Sequence, residues 1–208
     1  MKKILVVAIL FGLNTFAQND GYWDNQRATS KEITLSAGKR TLIKSENLPI
    51  GTTEFIYRIT VLDENQKLAS SLVSVLKAIP DPSGISQGTA GAIHLTSTIA
   101  GNDKCTYALF QSADEANLYI KDSKTSGACL VENEKVNKVA RLVSSSSTCL
   151  TNIPYLWFGV ESQNWLMNQK IVLEVVPWVD YKASRGWDKS SKNELVAIAK
   201  KLPIVPKL

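Results

Sequence analysis

One histidine, three cysteines and five tryptophans are the side chains on which most chemistry of this 208-residue chain would have to rest. A Ser-His-Asp or Cys-His arrangement must use His94, because nucleophile activation needs an adjacent base. His94 sits in "AIHLTS", flanked by Ile93 and Leu95, and no G-x-S-x-G elbow accompanies it. We read it as a structural strand residue. Zinc needs several His or Cys ligands at suitable spacing, and the sequence has none. "DEN" at Asp63 and "DPSG" at Asp81 do not match a calcium loop. "AGKR" lacks the spacing of a phosphate-binding loop. The carboxylates are scattered, so no glycosidase pair can be named. The sequence therefore predicts a protein without catalytic residues, cofactor or metal, and not an enzyme.

The cysteines are Cys105, Cys129 and Cys149. Three allow three pairings. The matching small-residue turns "SGACL" and "SSTCL" favour a Cys129–Cys149 disulfide, closing a loop of about 20 residues. Cys105 then opens the strand-like "CTYALF", as a buried thiol or as a site for a partner chain.

The tryptophans concentrate in "YLWFGVESQNWLMNQKIVLEVVPWV", from Tyr155 to Val179. Leu156, Phe158 and Val160 alternate with Tyr155, Trp157 and Gly159, and Ile171, Leu173 and Val175 alternate with their neighbours. Alternation of period two marks half-buried strands. The two apolar sets are expected to face the core. Read as a hairpin, the strands place Trp157 and Trp178 on one shared outer face. That face is either a contact surface or the floor beneath a C-terminal helix. Trp165, Leu166 and Met167 fall at the hairpin tip, where polar residues are the rule, and are read as a contact surface. The candidate binding residues are thus Trp157, Trp165, Leu166, Met167 and Trp178.

The elements that must position these residues are mostly strands. "EFIYRITVL" puts Phe55, Tyr57, Ile59 and Val61 on one face. Between Asp63 and Ile79 the period changes: Leu68, Leu72, Val75, Leu76 and Ile79 fall on one helical stripe, although Val73 and Val75 also alternate with serines as in a strand. Pro80 and Pro82 stop this element. "AIHLTSTI" and "CTYALFQS" read as a hairpin joined by "AGND", and Asp114 to Tyr119 as a helical turn. Near the end, Ser191 and Glu194 match a capping box, and Leu195, Ile198, Ala199 and Leu202 form the apolar stripe of a helix.

At the start, Lys2 and Lys3 precede an apolar run from Ile4 to Leu13, and Thr15-Phe16-Ala17 supplies small residues at the first and third positions. This pattern is a secretory signal peptide, too short for a membrane span. Without its two lysines, 22 basic residues face 19 acidic ones, an excess of only +3. No like-charge run suggests a nucleic-acid groove. The predicted organisation is a signal peptide over 1–17, a polar lead-in over 18–30, a mainly β antiparallel sandwich over 31–180 with one inserted helix, and a C-terminal helix and tail over 181–208. The location is periplasmic or extracellular.

The segments "AGKRTLIKSENLPIGTTEFIYRITVLD" and "LWFGVESQNWLMNQKIVLEVVPWVDY" resemble exported bacterial proteins of uncharacterised function. The late strand "LWFGV" followed by "KIVLEVVPWV" also looks like the closing hairpin of jelly-roll accessory domains, the pre-peptidase C-terminal and GOLD domains. The resemblance implies a jelly-roll-like sandwich and supplies no catalytic residue. The expected role is a non-catalytic protein-interaction module of the bacterial cell envelope, such as an accessory subunit of an outer-membrane assembly or secretion complex. The alternative is a carbohydrate-binding accessory domain. The expected partner is an envelope protein, or else a glycan.

Overall fold

The computed structural model describes residues 21–78, 103–150 and 153–184. Among the described residues nine strands form two antiparallel sheets, the β-sandwich expected from the sequence. They are β1 (Gly21–Trp23), β2 (Thr29–Leu35), β3 (Arg40–Lys44), β4 (Thr52–Leu62), β5 (Cys105–Phe110), β6 (Ala128–Val136), β7 (Lys138–Val143), β8 (Trp157–Ser162) and β9 (Gln169–Asp180). Helix α1 (Leu72–Lys77) follows β4, and α2 (Ala113–Asp122) follows β5. In the first sheet β9 lies between β4 and an edge shared by β1 and β2, and β4 pairs on its far side with β7. The second sheet runs β3-β8-β5-β6.

Between the sheets lies the main core. Phe55, Tyr57, Ile59 and Val61 of β4 and Ile171, Leu173 and Val175 of β9 meet Leu156, Phe158 and Val160 from the other sheet. Each set was expected inward from its alternation, because a sheet with one buried face must repeat with period two. Burying a side chain of this size contributes roughly 1.5–3 kcal/mol, which fixes strand register: a one-residue slip would turn the whole set to the outer face of its sheet. The disulfide joins Cys129 of β6 to Cys149 of a short 3-10 turn (Thr148–Leu150) after β7, as the flanking turns predicted. Cys105 is a free, buried thiol in the same core.

Two smaller clusters cover the outer faces. On the first sheet Trp23, Ile56, Leu72, Leu76, Val176 and Trp178 pack together beneath α1. On the second, Ala108, Phe110, Ala116 and Tyr119 pack beneath α2. Tyr119 can lie flat on β8 only because residue 159 is glycine: a Cβ there would come within 2.6 Å of its ring.

The structure departs from the sequence reading in four places. First, β8 and β9 are not a hairpin, because β8 pairs with β3 and β5 while β9 pairs with β1, β2 and β4. The segment between them crosses from one sheet to the other. Second, within the stretch read as a lead-in, Gly21–Trp23 forms β1, with Trp23 buried against Trp178 at a ring separation of 5.2 Å. Third, the helix of the 63–79 stretch begins only at Leu72, capped by the Ser71 hydroxyl, which accepts from the Ser74 N–H. Fourth, α2 is longer than the turn expected over 114–119, since Ser112 caps it by accepting from the Glu115 N–H. Both edges of β5 are taken by β6 and β8, while its expected hairpin partner lies outside the described residues. So do the signal peptide expected over 1–17, His94 and the helix expected over 191–202.

Candidate functional site

The crossover from β8 to β9, residues 163–168, sits at one end of the sandwich. Asn164 organises it. Its side-chain Oδ1 accepts from the N–H groups of Leu166 (3.0 Å) and Met167 (3.3 Å), a turn in which an Asx side chain replaces a backbone acceptor. Its Nδ2 donates to Asp103 Oδ1 at 2.7 Å. Its N–H donates to the Ser162 hydroxyl, and its carbonyl accepts from the Gly38 N–H at 2.9 Å. The Gln163 N–H donates to the Lys104 carbonyl at 2.9 Å. The base of the loop is thereby tied to the β2–β3 turn and to the chain entering β5. Gly38 has φ +62°, a left-handed conformation that favours glycine at that turn.

On this anchored base stand three large apolar side chains in water. Trp165 is 87% exposed, Leu166 91% and Met167 62%. Single exposed apolar residues are ordinary, but three consecutive ones on a fixed turn are not. The loop is flanked on one side by Lys104 and Lys135. On the other side stand Asp63, Glu64 and Asn65. Asp103 lies between the two sides, and burial, reinforced by the Asp63 charge, holds its carboxyl above the usual carboxylate range. We predict that Asn164→Ala releases the turn: amide exchange at 165–167 accelerates, measured by hydrogen–deuterium exchange, while global stability falls by no more than about 1 kcal/mol.

The other two candidate tryptophans stand elsewhere. Trp178 is buried on the outer face of the first sheet, edge-on to Trp23. Trp157 is half-buried on the outer face of the second sheet, beside the α2 cluster. They occupy opposite outer faces of the sandwich, so the shared aromatic surface expected from a hairpin does not exist. The expectation failed because it paired strands adjacent in sequence, whereas the chain changes sheet between them. What covers Trp178 is α1 and β1, not the C-terminal helix of the sequence reading. Trp157 stands 6.2 Å from Tyr155, nearly perpendicular to it, and Lys44 Nζ lies 3.4 Å over the Tyr155 ring. This cluster closes on its own lysine.

At the opposite end of the sandwich is an apolar cleft of about 540 Å³, which sequence reasoning missed. Leu48, Pro49, Ile50, Leu150, Ile153 and Pro154 line it together with Gly51 and Thr52. Its wall comes from the β3–β4 connection and from the segment preceding β8, which are far apart in sequence. Only the apolar run at Leu48–Ile50 hinted at it. Gly51, at φ +86°, turns the chain into β4, and its carbonyl accepts from the Asp180 N–H at 3.0 Å.

Among the described residues no three His, Cys, Asp or Glu side chains gather to hold a metal, and no helix is long and apolar enough to cross a membrane. The buried ionisable pair Arg58–Glu174 serves the structure, although Arg58 Nη1 finds no hydrogen-bond partner among the described residues. Arg58 Nε donates to Glu174 at 2.7 Å and its Nη2 to the Ser70 carbonyl at 2.5 Å, and the other Glu174 oxygen accepts from the Leu72 N–H at 2.7 Å. The pair fastens the start of α1 to the sheet. No protein-family model matches the chain, and no curated protein matches its sequence.

Proposed function

We propose that this protein is a non-catalytic protein-interaction module of the bacterial cell envelope, and that it grips its partner with Trp165, Leu166 and Met167. One observation carries the reading: these three side chains stand in solvent on a loop fixed by Asn164. Exposed apolar anchors on a pre-formed turn are what interface hot spots require, because little side-chain or loop entropy remains to be lost on binding. The disulfide supports an oxidising, extracytoplasmic location, as does the signal-like start of the sequence. The likeness to jelly-roll accessory domains belongs to the same proposal, and a two-sheet sandwich is the architecture it requires.

The glycan-binding alternative has less support. Flat aromatic platforms are its usual means, yet Trp165 has no second exposed ring beside it among the described residues, and Tyr155 and Trp157 meet edge to face.

The test is an affinity pull-down from gently solubilised envelopes, using tagged chain from Gln18 onward beside its Trp165→Ala variant. The expected result is a defined set of envelope proteins with the wild type, reduced at least tenfold by Trp165→Ala. Equal capture by both would remove the loop from the interface.

A further inference from the structure

The two ends of the sandwich carry opposite shapes in the same chemistry. One presents the convex apolar tip Trp165-Leu166-Met167 and the other the concave apolar cleft below Ile50. We propose that the partner of the tip includes a second copy of this chain: Trp165 and Leu166 of one molecule enter the cleft of Leu48, Ile50, Leu150, Ile153 and Pro154 of the next, head to tail. This rests on the preceding assignment of the tip as the contact surface, and it names a partner for it.

Three observations support the fit. Ends and directions match. β8 and β9 both run between the two ends, and β9, at 12 residues, spans about 40 Å, so the tip cannot reach its own cleft. The chemistry matches too. Among the described residues, neither the tip nor the cleft lining contains a charged side chain, so docking these surfaces strands no buried ion, the costliest error at an interface. The sizes also agree. A cleft of about 540 Å³ lies within the range that encloses a compact apolar group. A buried tryptophan brings about 150–250 Å² to a contact, so a contact made by three tip side chains stays below the roughly 1,200–2,000 Å² of a standard specific interface. The association is therefore reversible and concentration-dependent. Ile50, half exposed at the cleft lip, would lose most of its exposure in the contact.

A head-to-tail contact is heterologous: a pair keeps one free tip and one free cleft, so it extends into chains or closes into rings. This gives a complementation test that a symmetric dimer cannot imitate. Trp165→Ala removes the tip and keeps the cleft. Ile50→Asp spoils the cleft and keeps the tip. Both positions are exposed, and thermal melts matching the wild type confirm that the variants are folded, with Leu166→Asp as a second tip variant. In sedimentation velocity over about 1–500 µM, a range suited to so small an interface, the wild type should grow in mass with concentration. Each variant alone should stay monomeric. An equimolar mixture of Trp165→Ala and Ile50→Asp should give a one-to-one dimer and nothing larger, since one competent tip and one competent cleft remain. A wild type that is monomeric throughout, or a mixture that fails to pair, overturns the proposal. If the wild type is monomeric while Trp165→Ala still loses its envelope proteins, the tip remains a contact surface and the second copy is ruled out as its partner. If neither measurement responds to the tip, both proposals fall together.

Discussion

Replacing Arg58 by methionine is expected to destabilise the fold by about 3–5 kcal/mol, the range for removing one partner of a buried ion pair. Arg58 is fully buried and Glu174 nearly so. Without the guanidinium, Glu174 is left as a buried carboxylate holding only the Leu72 N–H, and Ser70 loses the donor to its carbonyl. The damage should reach α1, whose first turn is fastened by these bonds, and then the packing of Leu72 and Leu76 on Trp178. The double variant Arg58→Met, Glu174→Leu should recover much of the loss, because an intact buried pair contributes little net stability over well-packed apolar residues. Urea unfolding of the wild type, both single variants and the double variant measures the coupling directly. An Arg58→Met midpoint equivalent to a loss under about 1 kcal/mol would falsify the account.

The second large effect concerns sulfur. Opening the Cys129–Cys149 bridge, by reduction or by Cys149→Ser, should cost about 3 kcal/mol, since the cross-link closes a loop with a sequence separation of 20. The bridge ties β6, an edge of one sheet, to the turn after β7, an edge of the other, so its loss lets two edges open at once. A thermal melt with and without dithiothreitol reads the difference. Cys105 should behave in the opposite way. Burial pushes its thiol up to about 12. At pH 8 roughly one molecule in ten thousand carries the reactive thiolate. Iodoacetamide should therefore leave Cys105 untouched in the native protein and label it only in denaturant. Stoichiometric labelling without denaturant would mean that the first turn of β5 opens readily. The same protection argues against exchange between this thiol and the disulfide.

What the sequence disclosed, and what it hid, follows the range of the forces involved. The inward faces of β4, β8 and β9 were legible because alternation is local: Phe55, Tyr57 and Ile59, or Ile171, Leu173 and Val175, announce a buried face whatever pairs beside them. The disulfide was legible through its two small-residue turns. Pairing was not legible, because it depends on residues more than a hundred positions away. Nothing in "LWFGV" says that its neighbours are β3 and β5 rather than "KIVLEVV", and so Trp157 and Trp178 were set on one face. β1 escaped notice because three residues are too few to show a period, and its place is fixed by Gly21, where a Cβ would strike the Trp178 ring. The start of α1 depended on a carboxylate 102 residues away in Glu174. The Trp165–Met167 tip was legible for the converse reason: an apolar triplet between polar residues in a connection keeps its meaning whether the connection is a hairpin or a crossover. The cleft is assembled from two remote connections and left almost no local trace.

The position of β9 in the chain has a consequence for the order of events during synthesis. This strand pairs with β1, β2 and β4 and is the hub of the first sheet, yet among the described strands it is the last to leave the ribosome. Until residues 169–180 emerge, β1 and β2 have no template and β4 lacks one of its two neighbours. Contacts between β1 and β9 join residues separated by more than 150 positions, and contacts of such range form slowly. The first sheet therefore cannot complete until β9 has been made, an order compatible with the export proposed above.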